Sequence, residues 1–125
     1  MIVSDTTPIS NFLHLNKIGF LQQMFRQIHI PPAVRREVGV AFSNHSQWRQ
    51  CLEDQFFIIQ KVRQPLITQQ LLVTLQAGEA EALTVCMENN AKLCLLDDKD
   101  ARLVAGLNGI PVTGTLGLLI KKKKK

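Results

Sequence analysis

Two short apolar runs in this chain end in acid. Met1-Ile2-Val3-Ser4 leads into Asp5, and Leu93-Cys94-Leu95-Leu96 leads into Asp97, Asp98, Lys99 and Asp100. Carboxylates are hard oxygen donors suited to Mg²⁺ or Mn²⁺. Such ions activate water and offset the charge of an in-line phosphoryl displacement. Short apolar runs of this kind read as buried strands of a parallel sheet. In open α/β sheets, ligands sit beyond the carboxyl ends of the strands. Asp5 and Asp98 are therefore expected on one rim, although they lie far apart in the sequence. Acids gathered there are costly without a cation, which makes a metal site the first hypothesis.

Two further acids can reach that rim. Glu37 borders an apolar stripe made by Val34, Val38 and Ala41 on one helix face. Glu79 shares a face with Ala82, Leu83 and Cys86, while Glu81 points about 200° away from it by helix geometry. Strand alternation sends Asp97 and Asp98 to opposite sides, which gives Asp98 the leading role. Each acid also has a plainer use. Asp5 suits a turn and helix cap, and Glu79 complements a helix dipole after Gly78. Other chemistries lack their signatures. The chain has no phosphate loop, no Gly-x-Gly-x-x-Gly and no Gly-x-Ser-x-Gly. His14, His29 and His45 read as surface or core-edge residues.

The elements that must position these acids alternate. Ile2–Asp5 reads as a strand, followed by Thr6-Thr7-Pro8 as a helix start. Asn16-Lys17 breaks that helix, and a second carries Ile18, Leu21, Met24 and Phe25. Ile28-His29-Ile30 is a strand stopped by Pro31-Pro32, and residues 33–41 are helical. Residues 42–53 are helical in part, and 56–62 form a third strand. Helices follow over 65–76 and 79–88, the second ending at Asn89-Asn90. Leu93–Leu96 is a strand, 99–107 a helix, Ile110-Pro111-Val112 an edge strand and 114–120 a last helix. This pattern predicts a three-layer α/β/α domain around a mostly parallel sheet of about five strands.

Composition narrows the class. The chain has 125 residues, 46% hydrophobic and 20% charged, as expected of an ordinary globular domain. The net charge of +5 equals the contribution of Lys121–Lys125, so the body is neutral and gives little electrostatic sign of nucleic-acid binding. One domain over residues 1–120 is expected, with 121–125 a disordered, solvated tail able to touch RNA in a salt-dependent way. Cys51, Cys86 and Cys94 have no paired spacing, which predicts buried thiols and a reducing cytoplasm. No apolar stretch reaches a membrane span, and no basic region precedes the first apolar run as in a signal peptide.

The chain resembles the PIN-domain family, in the branch of VapC-like toxins. The resemblance is carried by five motifs in order: Ile2-Val3-Ser4-Asp5-Thr6-Thr7-Pro8-Ile9, then Pro32-x-x-Val-x-x-Glu37-Val38, Gly78-Glu79-Ala80-Glu81-Ala82-Leu83, Leu95-Leu96-Asp97-Asp98-Lys99-Asp100-Ala101-Arg102, and Val112-Thr113-Gly114-Thr115-Leu116-Gly117-Leu118-Leu119. It implies a Mg²⁺- or Mn²⁺-dependent endoribonuclease. Asp5, Glu37, Glu79 and Asp98 would be its catalytic acids, with Asp5, Asp98 and Glu79 as metal ligands. Glu81 is the alternative to Glu79, and Asp100 a helper. Thr6 would orient Asp5 or bound water, and Thr113 and Thr115 could meet a phosphate. The resemblance also implies RNA as substrate, an antitoxin protein as partner, and a homodimer. A different class stands beside this one: a PIN-like module that binds nucleic acid or protein without cutting.

Overall fold

In the computed structural model, which describes residues 1–124, the strands are only two or three residues long. They are β1 (Ile2–Ser4), β2 (Ile28–Ile30), β3 (Phe57–Ile59), β4 (Leu93–Leu95) and β5 (Val112–Thr113). All pair in parallel, in the order β3-β2-β1-β4-β5. Eight helices fill the connections among the described residues: α1 (Thr6–His14), α2 (Ile18–Met24), α3 (Pro32–Ala41), α4 (Ser46–Glu53), α5 (Pro65–Leu71), α6 (Ala77–Asn89), α7 (Lys99–Leu107) and α8 (Thr115–Lys124). The result is the expected three-layer α/β/α fold, with a sheet that is wholly parallel. None of these helices is long and apolar enough to cross a membrane.

An all-parallel sheet must be covered on both faces, and alternation along the strands supplies two cores. Ile28, Ile30 and Leu95 join Ile9, Phe12, Leu13, Val34, Val38, Trp48 and Leu118 on one face. Val3 and Cys94 join Ala80, Ala82, Leu83, Cys86, Ala101 and Ala105 on the other. The small residues of α6 let this helix lie close to β1 and β4, and α7 packs against α6 and β5. Cys51, Cys86 and Cys94 are free and buried. Ala41, expected in the stripe of α3, is exposed.

Element ends differ from the sequence-based expectation for physical reasons. The third strand stops at Ile59 because its neighbour β2 ends at Ile30, just before Pro31; the Gln60 amide makes a last bond to Ile30 O. The fifth strand begins after Pro111, which lacks the N–H a ladder needs. Helix α5 ends at Leu71, and a turn then buries Leu75 before α6 opens. The tail is the largest correction. Instead of being disordered, Lys121–Lys124 prolong α8, and Lys125 lies outside the described residues. Extending a formed helix is cheap, lysine is a good helix former, and cations suit a helix C-terminus. Lys122 Nζ also stands 5.4 Å from the centroid of Phe20.

Candidate metal centre

The strand order reverses between β1 and β4, the place where ligands bind in doubly wound sheets. Asp5 follows β1 directly and its amide continues the ladder to Leu95 O at 3.0 Å. It occupies the N-cap position of α1, yet its side chain makes no capping bond. The residue is only 4% exposed. Burial, then the carboxylates of Glu79, Glu37 and Asp98, push its pKa up to about 7, against the favourable Thr6 backbone amide.

A cavity of about 180 Å³ opens beside this carboxyl, lined by Asp5, Thr6, Thr7, Glu37, Gln76, Gly78 and Glu79. Glu37 comes from α3 and is held by the Thr6 hydroxyl, which donates to its Oε1 at 2.6 Å. Thr6 therefore orients Glu37 rather than Asp5. Glu79 is the third residue of α6 and closes a capping box: its Oε1 accepts from the Gln76 amide at 3.0 Å. Burial, followed by the charges of Asp98, Glu37 and Asp100, raises the Glu79 pKa, and the Gln76 amide opposes the rise.

Gly78 makes this proximity feasible. A Cβ there would lie 2.6 Å from Glu37 Oε1, 2.9 Å from Asp5 Oδ1 and 3.2 Å from Thr6 Oγ1. Gly78, Gln76 and Thr7 were not singled out as site residues by the sequence; a glycine one residue before a core-facing acid was the available signal. The N-termini of α1 and α6 both meet at this cavity, and their dipoles offset part of the acid repulsion.

The other candidates divide. Asp98 is the N-cap of α7, its Oδ2 accepting from the Ala101 amide at 2.9 Å; it is exposed and outside the cavity lining, though its charge reaches Asp5 and Glu79. Asp100 is exposed and acts on Glu79 only through charge. Glu81 turns away, accepting from the Ala33 amide at 2.9 Å and so fixing the start of α3. Thr115 is not free for a phosphate: its amide and hydroxyl both donate to Asp97, at 2.6 Å each. Thr113 ends β5 and lies against Gly117, away from the cavity.

Asp97 also accepts from Asn11 at 3.3 Å, so it ties α1 and α8 to the end of β4. Asp97→Ala is expected to cost roughly 3 kcal/mol, the worth of several charge-assisted bonds. Asp98→Ala removes one cap and should cost about 1 kcal/mol. Urea unfolding of the two variants checks the order; a larger loss at Asp98 would refute it.

The donor set fits a hard divalent cation. All its side-chain donors are oxygens, and among the described residues none of these acids has a Lys, Arg or His within ion-pair distance, the one ion pair being Arg63–Glu88. The acids surround the cavity without closing on a point, for no ready-made group of three ligating His, Cys, Asp or Glu side chains occurs among the described residues. No curated protein matches the chain. A family model described as a PIN domain matches residues 1–125. With the match spanning its whole length, the chain belongs to the PIN-domain family, a nuclease-type fold.

Proposed function

We propose that the chain is a Mg²⁺- or Mn²⁺-dependent endoribonuclease of VapC toxin type, hydrolysing RNA phosphodiester bonds at the cavity beside Asp5. Asp5 carries this reading: a buried carboxyl, facing two other acids and lacking a cationic partner, is an expensive arrangement that a bound cation would repay. Asp5, Glu37 and Glu79 would hold the ion, with Asp98 adding charge at the edge. When bound, the cation supplies Lewis-acid stabilisation of the phosphoryl oxygens and acidifies water. The chain's own residues do the positioning. Thr6 holds one oxygen of Glu37, Gln76 holds one oxygen of Glu79, and the walls of α1 and α6 limit water around Asp5. A protein of this type acts in the cytoplasm, pairs with an antitoxin that covers the cavity, and forms homodimers.

Purified protein and its Asp5→Asn variant should be compared on single-stranded RNA with Mn²⁺. Loss of cleavage by about a hundredfold or more is expected in the variant; equal cleavage by both sinks the assignment. The open arrangement of the acids favours a second reading, a PIN scaffold that binds without cutting. Calorimetry separates the two: no heat with either ion at millimolar concentration supports the scaffold.

A further inference from the structure

A larger cavity, of about 500 Å³, lies at the opposite end of the sheet from the acids. It is lined by Met1, Ile2 of β1, Met24 at the end of α2, Phe25 to Gln27 after it, His29 of β2, and Lys92 before β4. No acid lines it. Arg26 and Lys92 come from separate segments, and neither has a carboxylate partner among the described residues. One ring nitrogen of His29, Nδ1, is buried without a hydrogen-bond partner. Such an orphan is costly and calls for a partner. Burial holds the His29 pKa below its ordinary value, with Gln60 opposing and the positive charge of the N-terminus adding to the fall. Phe25, Met24 and Ile2 supply an apolar wall.

We propose that this cavity binds the phosphoryl group of a nucleotide, held between Arg26 and Lys92, with the base against Phe25 and Met24 and a polar edge at His29. The volume exceeds what a free phosphate needs and falls within the range of small-molecule sites, roughly 300–1,000 Å³. The nucleotide can be free or can be the 5′-phosphorylated end of an RNA. The inference does not depend on catalysis at Asp5.

The full chain in EDTA, which keeps divalent ions from the acid cavity, should be titrated with AMP and with short RNAs bearing a 5′-phosphate or a 5′-hydroxyl. Calorimetry and the ¹⁵N resonances of the His29 ring report binding. AMP or the phosphorylated RNA is expected to bind at least about tenfold more tightly than the 5′-hydroxyl RNA, and to shift His29. The Arg26→Ala/Lys92→Ala variant, altered only at exposed positions, should lose that preference. Tight AMP binding identifies a free nucleotide as the ligand; binding of the phosphorylated RNA alone identifies an RNA end. Equal binding of both RNAs with no AMP binding, which the lysine tail would give, overturns the proposal. So does binding that the double variant retains in full.

Discussion

Asp5→Asn is expected to stabilise the metal-free protein at pH 8 by about 2–4 kcal/mol. The folded-state carboxyl has its pKa raised from 3.8 to about 7. Above about pH 4 the unfolded chain has released this proton while the folded chain still holds it. Stability therefore falls as pH rises from about 4 to about 7, where the folded carboxyl ionises, and stays low above that. At about 1.4 kcal/mol per pKa unit the full loss would be about 4.5 kcal/mol, an upper figure for a group that borders a cavity. Glu79 shifts in the same direction and adds to the slope. An asparagine removes the charge and can donate to Glu37 or Glu79. Urea unfolding in EDTA at pH 5 and pH 8 tests this: wild type should lose stability between the two, and the variant much less. Saturating Mn²⁺ at pH 8 should favour wild type, because only it has the full ligand set. A variant weaker than wild type in EDTA at pH 8 would show that the carboxylate is satisfied as it stands.

Gly78→Ala should leave the fold in place and spoil the cavity. The second residue of a helix accepts alanine readily, and the intrinsic propensity favours it over glycine by about 1 kcal/mol. The new methyl, however, would press on one oxygen each of Glu37, Asp5 and Thr6 at 2.6–3.2 Å. Glu37 is exposed and can move, breaking its bond from Thr6, whereas Asp5 is walled in. Displacements near 1 Å at reacting groups cost on the order of a hundredfold in rate. The expected result is an unchanged circular dichroism spectrum, Mn²⁺ affinity weakened by about tenfold or more, and RNA cleavage reduced by about a hundredfold. Unchanged Mn²⁺ affinity would mean that Glu37 and Asp5 do not share an ion.

The alternation of strand and helix was legible because most strands are short apolar runs and helices such as α1, α3 and α7 carry a one-sided apolar stripe. The placement of Asp5 after the first strand followed from the run that precedes it. Glu79 was separated from Glu81 by helix geometry alone, and the two do turn different ways, one to the cavity and one to Ala33. Side-chain partnerships were not legible. Nothing in Asp97-Asp98 says that the first would anchor α8 and the second cap α7, since both choices depend on where residue 115 and residue 101 arrive. Gly78 was read only as a helix start for a related reason: its importance lies in oxygen atoms contributed by residues 5, 6 and 37, brought near it only by the fold. The lysines were read as a solvated run on composition alone, without the helix that precedes them.

The central position of β1 bears on when the protein can act during its own synthesis. Its partners are residues 28–30 on one side and 93–95 on the other. At about 5–20 residues per second, a ribosome finishes β4 roughly 5–20 seconds after Asp5 emerges. Until then the nascent chain can pair β1 with β2 and β3, but the wall carrying Gly78 and Glu79 has no β4 to pack on. Asp5 thus stays solvated, with an ordinary carboxyl, until β4 has emerged and paired with β1. A nuclease built on this order would be silent until β4 has left the ribosome and joined β1.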